Sequence, residues 1–384
     1  MRKIQMVDLT TQYEKIRGEI NTEVQQVIDS TQFINGTPTK NFAKNLQDYL
    51  QVKHVIPCAN GTDALQIALM ANNLNESDEV ITIPFTFVAT VEVVALLKLK
   101  PIFIDVDPDT FNIDVDKIEE KITARTKAII PVHLFGQSAD MEKMMRIAEK
   151  NNLLVIEDTA QAIGCDYTFS DGRKQKAGTI GHIGTTSFYP TKNLGAYGDG
   201  GALVTNDDVL ANKIKIICDH GSAKKYYYDS IGVNSRLDSM QAAILNVKLK
   251  YLNTYNEKRN AAASMYDERL KNMPGITIPK RNNNSTHVFH QYTIKVETGR
   301  DELKDFLQSK GIPSMIYYPV PLHLSAAYKI YGYNDGDFPV SEKIAGQVLS
   351  LPMHTELDEE QIDFICEAIK EFVGEHVIIS GEII

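Results

Sequence analysis

The chain between residues 52 and 160 alternates short runs rich in β-branched residues with longer stretches in which apolar residues recur every three or four positions. The short runs are typical of buried strands, and the longer stretches are typical of amphipathic helices. Strands are predicted at residues 54–58, 79–83, 101–106, 127–132 and 153–157. Helices are predicted at residues 62–71, 88–97, 115–121 and 140–151. This alternation indicates βαβ units, and therefore a mainly parallel sheet that is covered by helices on both faces.

The pattern changes in the second half of the chain. Two further strands are predicted at residues 186–189 and 201–205, and a helical period then runs from residue 236 to residue 272, where Pro274 and Gly275 end it. Beyond it, the predicted elements are a strand at 291–296, a helix at 302–310, a proline-rich turn at 317–321 and a last helix at 359–373. We therefore predict an α/β fold with a large domain at residues 1–250 and a smaller α+β domain at residues 251–384.

The composition of the 384 residues is that of a soluble globular protein, with 43% hydrophobic and 23% charged residues and a net charge of −10. No basic patch stands out, so we expect no nucleic-acid partner. No apolar run approaches the roughly 20 residues of a membrane span, and we expect no signal peptide. The four cysteines are far apart and are expected to be reduced thiols in the cytoplasm. His287 and His290 lack further ligands nearby, so no metal site is predicted.

Three segments that follow predicted strands carry candidate chemistry. The first is residues 60–65, where Gly61 opens a helix directly after the strand at 54–58. The N–H groups at a helix start have no partner and lie at the positive end of the helix dipole, which suits a phosphate group. The Thr62 hydroxyl can add a contact. A plain N-cap at Thr62 or Asp63 is the alternative interpretation.

The second segment is residues 157–161, where Glu157 and Asp158 end a buried strand. A carboxylate there could cap the next helix, or it could hold a protonated heterocyclic nitrogen, because an opposite charge favours the protonated form. The third segment is residues 187–201, in which Lys192 lies in a glycine-rich loop with few other charges. Most lysines are solvated surface residues, but a lysine in such surroundings can have a lowered pKa and form a Schiff base.

The three segments are more informative together than singly. A phosphate site, a strand-end carboxylate and a loop lysine, in this order on a parallel sheet, form a binding set for pyridoxal phosphate. Over nearly its whole length the sequence also resembles the sugar aminotransferases of the DegT/DnrJ/EryC1/StrS family. The resemblance is carried by residues 7–13, 33–36, 84–90, 131–137, 157–161, 187–195, 232–238 and 318–323. It implies the fold-type I, aspartate-aminotransferase-like architecture.

The resemblance also implies a role for individual residues. Lys192 would carry the cofactor, and Asp158 would pair with its pyridine nitrogen. The other implied cofactor contacts are Gly61, Thr62, Phe87, His133, Gln161, Ser187 and, across a homodimer interface, the partner subunit's Asn234. The implied substrate contacts are Arg236, Tyr318 and His323. These three have structural alternatives, since Arg236 could cap a helix or pair with Asp238, and Tyr318 and His323 could pack the domain junction.

Residues 58–67, 232–238 and 349–354 resemble the branch of the family that aminates UDP-2-acetamido-2-deoxy-3-oxo-glucuronate for surface polysaccharides such as lipopolysaccharide. For that branch we expect ping-pong transamination, with L-glutamate as the amino donor and the freed Lys192 amine moving the proton. A dTDP-3-keto-6-deoxyhexose or a 4-keto sugar is the alternative acceptor. A non-catalytic binding protein on the same fold would be expected to show a damaged cofactor set, and a dehydratase relative would lack the lysine, whereas Lys192 and Asp158 are both present here.

Overall fold

The computed structural model describes residues 2–380, with side chains up to residue 374, and its centre is a seven-stranded sheet. The strands of this sheet are β1 (His54–Cys58), β2 (Glu79–Thr82), β3 (Lys100–Phe103), β4 (Thr126–Ile129), β5 (Leu154–Asp158), β8 (Ile183–Ser187) and β9 (Gly201–Thr205). They are arranged in the order β1-β9-β8-β5-β4-β2-β3. Between β5 and β8 in the chain, β6 (Asp166–Thr168) and β7 (Lys174–Lys176) form a separate hairpin.

Five neighbouring strands of the large sheet are parallel. β5 pairs in parallel with β8 and β4, and β2 pairs in parallel with β4 and β3. Only β9, which lies between β8 and β1, is antiparallel to its neighbours. The predicted mainly parallel α/β sheet is therefore confirmed. The parallel strands bring their carboxyl ends to one edge, which is where ligands bind in open sheets of this kind.

Helices cover both faces of this sheet, as the near-continuous apolar strands require. In β5, Val155 belongs to the core on one face and Ile156 to the core on the other. The helices of the described residues are α1 (Leu9–Ser30), α2 (Thr37–Leu50), α3 (Gly61–Met70), α4 (Ala89–Leu96), α5 (Met141–Asn151), α6 (Asp208–Cys218), α7 (Ser239–Leu249), α8 (Leu252–Leu270), α9 (Arg300–Ser309), α10 (Pro339–Gln347) and α11 (Glu359–Ser380). Helix α5 covers the first face, and α3, α4 and α6 cover the second.

A smaller antiparallel sheet is built from β10 (Ile276–Thr277), β11 (Tyr292–Val296) and β12 (Val348–Leu351). Helices α8, α9 and α11 surround its core, and Ile4 from the start of the chain packs there as well. The chain's first residues thus contact the C-terminal unit. The proposed division near residue 250 stays a prediction.

Two predicted helices were wrong in detail. Residues 115–121 form two short 3₁₀ turns, Val115–Lys117 and Glu119–Lys121, because single turns suffice to bury Val115 and Ile118 in the core beside α5. The long helix predicted at 236–272 is broken into α7 and α8.

The break between α7 and α8 lies at Lys250 and Tyr251. Their N–H groups bond to carbonyls only three residues earlier, at Val247 and Lys248, which tightens the turn. The chain is thereby directed from the large sheet towards the smaller one. Within residues 2–380, no helix has both the length and the apolar composition needed to cross a membrane.

Candidate active site

A cavity of about 840 Å³ lies at the carboxyl edge of the large sheet. Four of its lining residues end or closely follow strands of that sheet: Asn60 after β1, Phe87 after β2, Asp158 at the end of β5 and Ser187 at the end of β8. This is the edge at which open α/β sheets bind ligands. The three candidate segments, which are far apart in sequence, therefore meet in one cavity.

Lys192 lies in the wall of this cavity and is half-buried. Among the residues that the structure describes, no carboxylate or hydrogen-bond acceptor contacts its Nζ. Burial lowers the pKa of Lys192 to about 8, although the nearby Asp158 carboxylate acts in the opposite direction. A substantial fraction of the amine is therefore uncharged in weakly basic solution, which is the form that attacks a carbonyl carbon.

Asp158 is buried at the end of β5, and each of its oxygens accepts a hydrogen bond. The Thr90 hydroxyl donates to Oδ2 at 2.9 Å, and the Ala160 N–H donates to Oδ1 at 3.1 Å. Burial raises the pKa of Asp158, and these two hydrogen bonds together with the charge of Lys192 oppose that rise. Because a carboxylate can accept about four hydrogen bonds, Asp158 keeps capacity for a further donor in the cavity.

Glu157, the neighbour of Asp158 in β5, has a different task. Its carboxylate accepts hydrogen bonds from the N–H groups of Gly178, Ile180 and Gly181 at 2.6–2.8 Å, which hold the loop that leads into β8. It also lies 2.8 Å from His133 Nε2. Successive strand residues point to opposite faces, so only one of the two acidic residues reaches the cavity.

His133 is fully buried beside Glu157, and it is not part of the cavity lining. Its Nδ1 accepts a hydrogen bond from the Ala139 N–H at 3.1 Å, which leaves Nε2–H to donate to the Glu157 carboxylate. The backbone N–H of His133 donates to the Asp158 carbonyl at 3.0 Å. In this structure His133 thus supports the strand end from behind, and the cofactor contact that the resemblance implies stays a prediction.

The start of α3 forms the end of the cavity where a phosphate was predicted. Asn60 is the N-cap, and its Oδ1 accepts the Asp63 N–H at 2.7 Å. The N–H groups of Gly61 and Thr62 occupy the first helical positions, which have no partner inside a helix. A Cβ added at Gly61 would lie only 2.7 Å from Ser187 Cβ, so glycine is what allows the helix start and the end of β8 to approach this closely.

Phe87, Gln161 and Tyr318 line the cavity between these two ends. Phe87 is 55% exposed, which is unusual for phenylalanine, so its side chain is available to contact a bound ring. Gln161 Oε1 accepts the Phe135 N–H at 2.7 Å, and Gln161 Nε2 lies 3.1 Å from the Tyr318 hydroxyl. Gln161 therefore connects the two sides of the cavity.

The other three predicted residues lie outside this chain's cavity lining. Asn234 is exposed, and Arg236 is half-buried without an ion pair among the described residues, so the alternative pairing with Asp238 is not found. His323 is fully buried, and its Nε2 lies 2.9 Å from the Glu342 carboxylate. This position agrees with the structural alternative for His323, and its substrate contact stays a prediction.

Several residues at the cavity were not singled out as site residues from the sequence. Thr90 is outside the lining but holds Asp158, and Tyr189, Asp199, His290 and Gln291 line the cavity. His290 was considered only as a metal ligand. The sequence signal available for Thr90 was its place in the segment 84–90 that carries the family resemblance. For His290 and Gln291 no sequence signal exists, because the smaller sheet brings them to the cavity.

The described residues fit pyridoxal phosphate in size and in chemistry. The helix start at Gly61 and the Ser187 hydroxyl suit its phosphate, and the spare acceptor capacity of Asp158 suits its ring N–H. The unpartnered amine of Lys192 suits its aldehyde carbon. Such an arrangement can hold the cofactor at three points and leave the adjoining space for a substrate.

Comparison with known proteins gives a consistent result. A sequence model described as the DegT/DnrJ/EryC1/StrS aminotransferase family matches residues 14–370. Among relatives, a "pleiotropic regulatory protein" of Geobacillus stearothermophilus is 48% identical over 96% of this chain and 98% of the relative. The UDP-2-acetamido-2-deoxy-3-oxo-D-glucuronate aminotransferase of Pseudomonas aeruginosa is 42% identical over 95% of this chain and 99% of the relative.

Two more relatives differ in the nucleotide of their sugar. A UDP-N-acetyl-3-dehydro-α-D-glucosamine 3-aminotransferase of Acidithiobacillus ferrooxidans is 43% identical over 96% of this chain and 97% of the relative. A dTDP-3-amino-3,4,6-trideoxy-α-D-glucose transaminase of Streptomyces venezuelae is 37% identical over 96% of both chains.

Solved structures agree with this comparison. An aminotransferase from Brucella abortus superposes with a TM-score of 0.92 at 43% identity and covers 97% of this chain and 100% of its own. The NtdA protein of Bacillus subtilis, solved with bound pyridoxamine phosphate, has a TM-score of 0.87 at 33% identity and covers 96% of this chain and 83% of its own.

Proposed function

The chain belongs to the DegT/DnrJ/EryC1/StrS aminotransferase family, and we propose that the ketone it aminates is at C3 of a UDP-sugar bearing a 2-acetamido group, namely UDP-2-acetamido-2-deoxy-3-oxo-glucuronate. That the chain is a pyridoxal-phosphate-dependent sugar aminotransferase follows from the family. The choice of a 3-keto UDP-sugar over a dTDP-sugar rests on one observation: the two relatives named for 3-keto UDP-sugars are 42% and 43% identical, against 37–39% for three relatives named for dTDP-sugars.

In this proposal each cavity residue has a specific task. Pyridoxal phosphate, when bound, supplies an electron sink for the carbanion chemistry of transamination. Gly61, Thr62 and Ser187 bind its phosphate, Phe87 lies against its ring, and Gln161 lies near its hydroxyl. Asp158 keeps the ring nitrogen protonated by its negative charge.

Lys192 holds the cofactor between turnovers and, once released, moves a proton to and from the reacting carbon of the substrate. Its lowered pKa, about 8, suits an amine that must both accept and donate a proton near neutral pH. We propose L-glutamate as the amino donor, on the strength of the family resemblance. The aminated product would enter a surface polysaccharide such as lipopolysaccharide.

The charges of the cavity support a homodimer with shared sites. Its lining contains three carboxylates, Asp63, Asp158 and Asp199, and Lys192 is its only lysine or arginine among the described residues. A nucleotide sugar carries a diphosphate, so further cations must come from outside this chain's cavity. We propose that Asn234 and Arg236 reach the neighbouring subunit's site.

The local structure of this segment is compatible with that role. Ser235 between them is fully buried, and its hydroxyl donates to Asp63 at 2.6 Å at the edge of the cavity. Asn234 is exposed and Arg236 lacks an ionic partner among the described residues, so both side chains remain available to a second subunit.

Mixing two inactive variants tests the shared site. Lys192→Ala and Arg236→Ala are expected to be inactive or nearly so as homodimers. In a random mixture half of the dimers are hybrids, and each hybrid has one intact site if the two residues act on different sites. Activity should then recover to about a quarter of the wild-type value. Recovery to no more than the sum of the separate variants would contradict a shared site.

An acceptor panel tests the substrate. The enzyme is first converted to its pyridoxamine form, and amino transfer is then followed in a single turnover by mass spectrometry of the sugar. We expect the fastest transfer to UDP-2-acetamido-2-deoxy-3-oxo-glucuronate and slower transfer to dTDP-3-keto-6-deoxyglucose and to 4-keto sugars. The 3-keto sugar without the carboxylate, UDP-N-acetyl-3-dehydroglucosamine, separates recognition of the uronate from recognition of the UDP-acetamido part. Preference for a dTDP-sugar would overturn the proposal.

A non-catalytic binding protein is the second candidate, because the relative at 48% identity carries a regulatory name. The unpartnered Lys192 amine and the Asp158 carboxylate in one cavity favour the enzyme. Failure of amino transfer to every acceptor by protein that binds the cofactor would favour the binding protein.

The four cysteines are buried and unpaired, which suits a reducing compartment such as the cytoplasm.

A further inference from the structure

Burial alternates along the segment that follows the loop after α6. Asn234 is exposed and Arg236 is half-buried, whereas Ser235 between them is fully buried. Asn234 and Asp238 each form an isolated antiparallel β-bridge, so the segment is extended. Successive side chains of an extended segment point to opposite sides. A contact made by Ser235 on the inner side therefore helps to place Asn234 and Arg236 on the outer side.

Backbone hydrogen bonds attach this segment to the end of α6. The Val233 N–H donates to the Ile217 carbonyl at 2.8 Å, and the Ser235 N–H donates to the Cys218 carbonyl at 3.1 Å. These two bonds hold the segment from one direction. The side chain of Ser235 holds it from a second direction, towards α3.

The Ser235 hydroxyl contacts two groups of the turn that begins α3. It donates to Asp63 Oδ2 at 2.6 Å and accepts the Ala59 N–H at 3.0 Å. Asn60, which lies between these two residues, caps the helix by accepting the Asp63 N–H at 2.7 Å. The turn closed in this way is the helix start to which we assign the cofactor's phosphate. One hydroxyl thus connects the phosphate turn of this chain to the segment that carries Asn234 and Arg236.

The structure leaves no substitute for this hydroxyl. Because Ser235 is 0% exposed, water cannot take over its two hydrogen bonds. Its acceptor is a carboxylate, and hydrogen bonds to charged groups are the stronger ones. Without the hydroxyl, the Ala59 N–H and the Asp63 carboxylate would each lose a partner, and the turn and the segment would no longer be joined.

We infer that Ser235 is a positioning residue for both active sites of a dimer. It closes the phosphate turn of its own subunit, and it holds Asn234 and Arg236 in place for the site of the neighbouring subunit. The inference rests on the shared site of the proposed function, to which it adds that one buried hydroxyl serves both sites. It holds for any acceptor sugar, because binding of the cofactor alone tests it.

A hybrid dimer shows at which site Ser235 acts. It is assembled from one Lys192→Ala chain and one chain with Lys192 intact, which carry different affinity tags, and it is titrated with pyridoxal phosphate. Borohydride fixes only the cofactor that is joined to Lys192, so mass spectrometry of the intact-lysine chain gives the Kd of one site, the counted site. The neighbour's segment at the counted site belongs to the Lys192→Ala chain.

Ser235→Ala on the Lys192→Ala chain should raise the Kd of the counted site about tenfold, because the displaced segment weakens a charge-assisted contact with the cofactor's phosphate. On the intact-lysine chain it should also raise the Kd, because the phosphate turn of the counted site is loosened. A structural role confined to its own subunit predicts an effect from the intact-lysine chain alone. An unchanged Kd in either placement would overturn the inference.

Ser341→Ala is the matched control. Ser341 is also fully buried, and its hydroxyl also donates to an aspartate at 2.6 Å, that of Asp105, but at the start of α10. The two variants should therefore destabilise the fold to a similar extent. Ser341→Ala should leave the Kd of the counted site within about twofold in both placements. A rise as large as that of Ser235→Ala would reflect general destabilisation and would overturn the inference.

Asn234→Ala on the Lys192→Ala chain separates this inference from the proposed function. If it raises the Kd of the counted site and Ser235→Ala in the same place does not, the shared site stands and the inference falls. If Asn234→Ala acts only from the intact-lysine chain, the shared site fails, and the inference with it.

Asp63→Ala removes the same hydrogen bond from its other end and keeps the test decisive if Ser235→Ala does not fold. On the Lys192→Ala chain, Asp63 belongs to the site that is not counted, and its bond to Ser235 is its connection to the counted site. Asp63→Ala there should raise the Kd about as much as Ser235→Ala, and both changes together should add little. No rise, or full additivity of the two, would overturn the inference.

Discussion

Replacing Thr90 by valine removes one hydroxyl and leaves the shape of the side chain almost unchanged. The lost group is the donor of the 2.9 Å hydrogen bond to Asp158 Oδ2, in a place where Thr90 is 1% exposed and water cannot replace it. A hydrogen bond to a charged group contributes about 1.5–3 kcal/mol. One pKa unit corresponds to about 1.4 kcal/mol, so the pKa of Asp158, already raised by burial, should rise by a further one to two units.

The direction of the effect on activity follows from the role of Asp158. Only the ionised carboxylate can hold the cofactor's ring nitrogen in its protonated form, and a higher pKa means that ionisation is lost at a higher pH. The acid limb of the pH profile of kcat/KM for the amino donor should therefore move about one to two units towards neutral pH in Thr90→Val. The basic limb, to which Lys192 contributes, should stay in place.

Thr82→Val is the matched control. Its hydroxyl is also fully buried and donates to a backbone carbonyl, that of Ile130, at 2.9 Å, but it does not contact Asp158. The free energy of unfolding should fall by about 1.5–3 kcal/mol in Thr90→Val and by about 1 kcal/mol in Thr82→Val, and only Thr90→Val should shift the acid limb. An acid limb at the wild-type pH in Thr90→Val would show that the Thr90 hydroxyl does not set the pKa of Asp158.

Three further predictions concern the phosphate end, the loop before β8 and the lysine. Gly61→Ala places a Cβ 2.7 Å from Ser187 Cβ, and spectrophotometric titration should show cofactor affinity falling at least about tenfold; an unchanged Kd would contradict this. Glu157→Gln replaces a carboxylate oxygen by an amide NH₂, which cannot accept hydrogen bonds from the backbone N–H groups. The free energy of unfolding, measured in urea, should therefore fall by about 3 kcal/mol, and a fall of less than about 1 kcal/mol would count against this role of Glu157. Because the pKa of Lys192 is lowered to about 8, the rate at which cofactor-free protein combines with pyridoxal phosphate should rise about tenfold per pH unit below that value and level off above it; a rate still rising at pH 10 would indicate an ordinary lysine.

The parts of the fold that the sequence predicted well are those with a strong local period. The strands β1 and β5 and the helix α5 lie where alternation and helical spacing indicated them. Helices α1 and α2 were not predicted, although Ile16 and Ile20 of α1 stand at helical spacing and pack against α7. The break at Lys250 could not be predicted from the helical spacing of apolar residues, because it depends on the position of the smaller sheet and its core.

In the candidate site too, some residues could be predicted from the sequence and others only from the three-dimensional arrangement. Asp158 and Lys192 could be predicted because each follows a strand of a parallel sheet, and such ends meet at one edge. The different tasks of Glu157 and Asp158 required knowing which face of β5 meets the cavity. His323 was predicted from its motif alone, and the structure adds that its side chain is buried against Glu342, so its substrate contact stays a prediction.

The assignment of Lys192 as the cofactor lysine is tested by the visible spectrum of the purified, cofactor-loaded protein before and after addition of L-glutamate. Lysine-bound pyridoxal phosphate gives a yellow band, and we expect glutamate to remove this band and a keto UDP-sugar to restore it. Lys192→Ala should lack both changes. A wild-type protein that forms no yellow band with added pyridoxal phosphate, or a Lys192→Ala protein with full activity, would contradict the assignment of this cavity as the aminotransferase site.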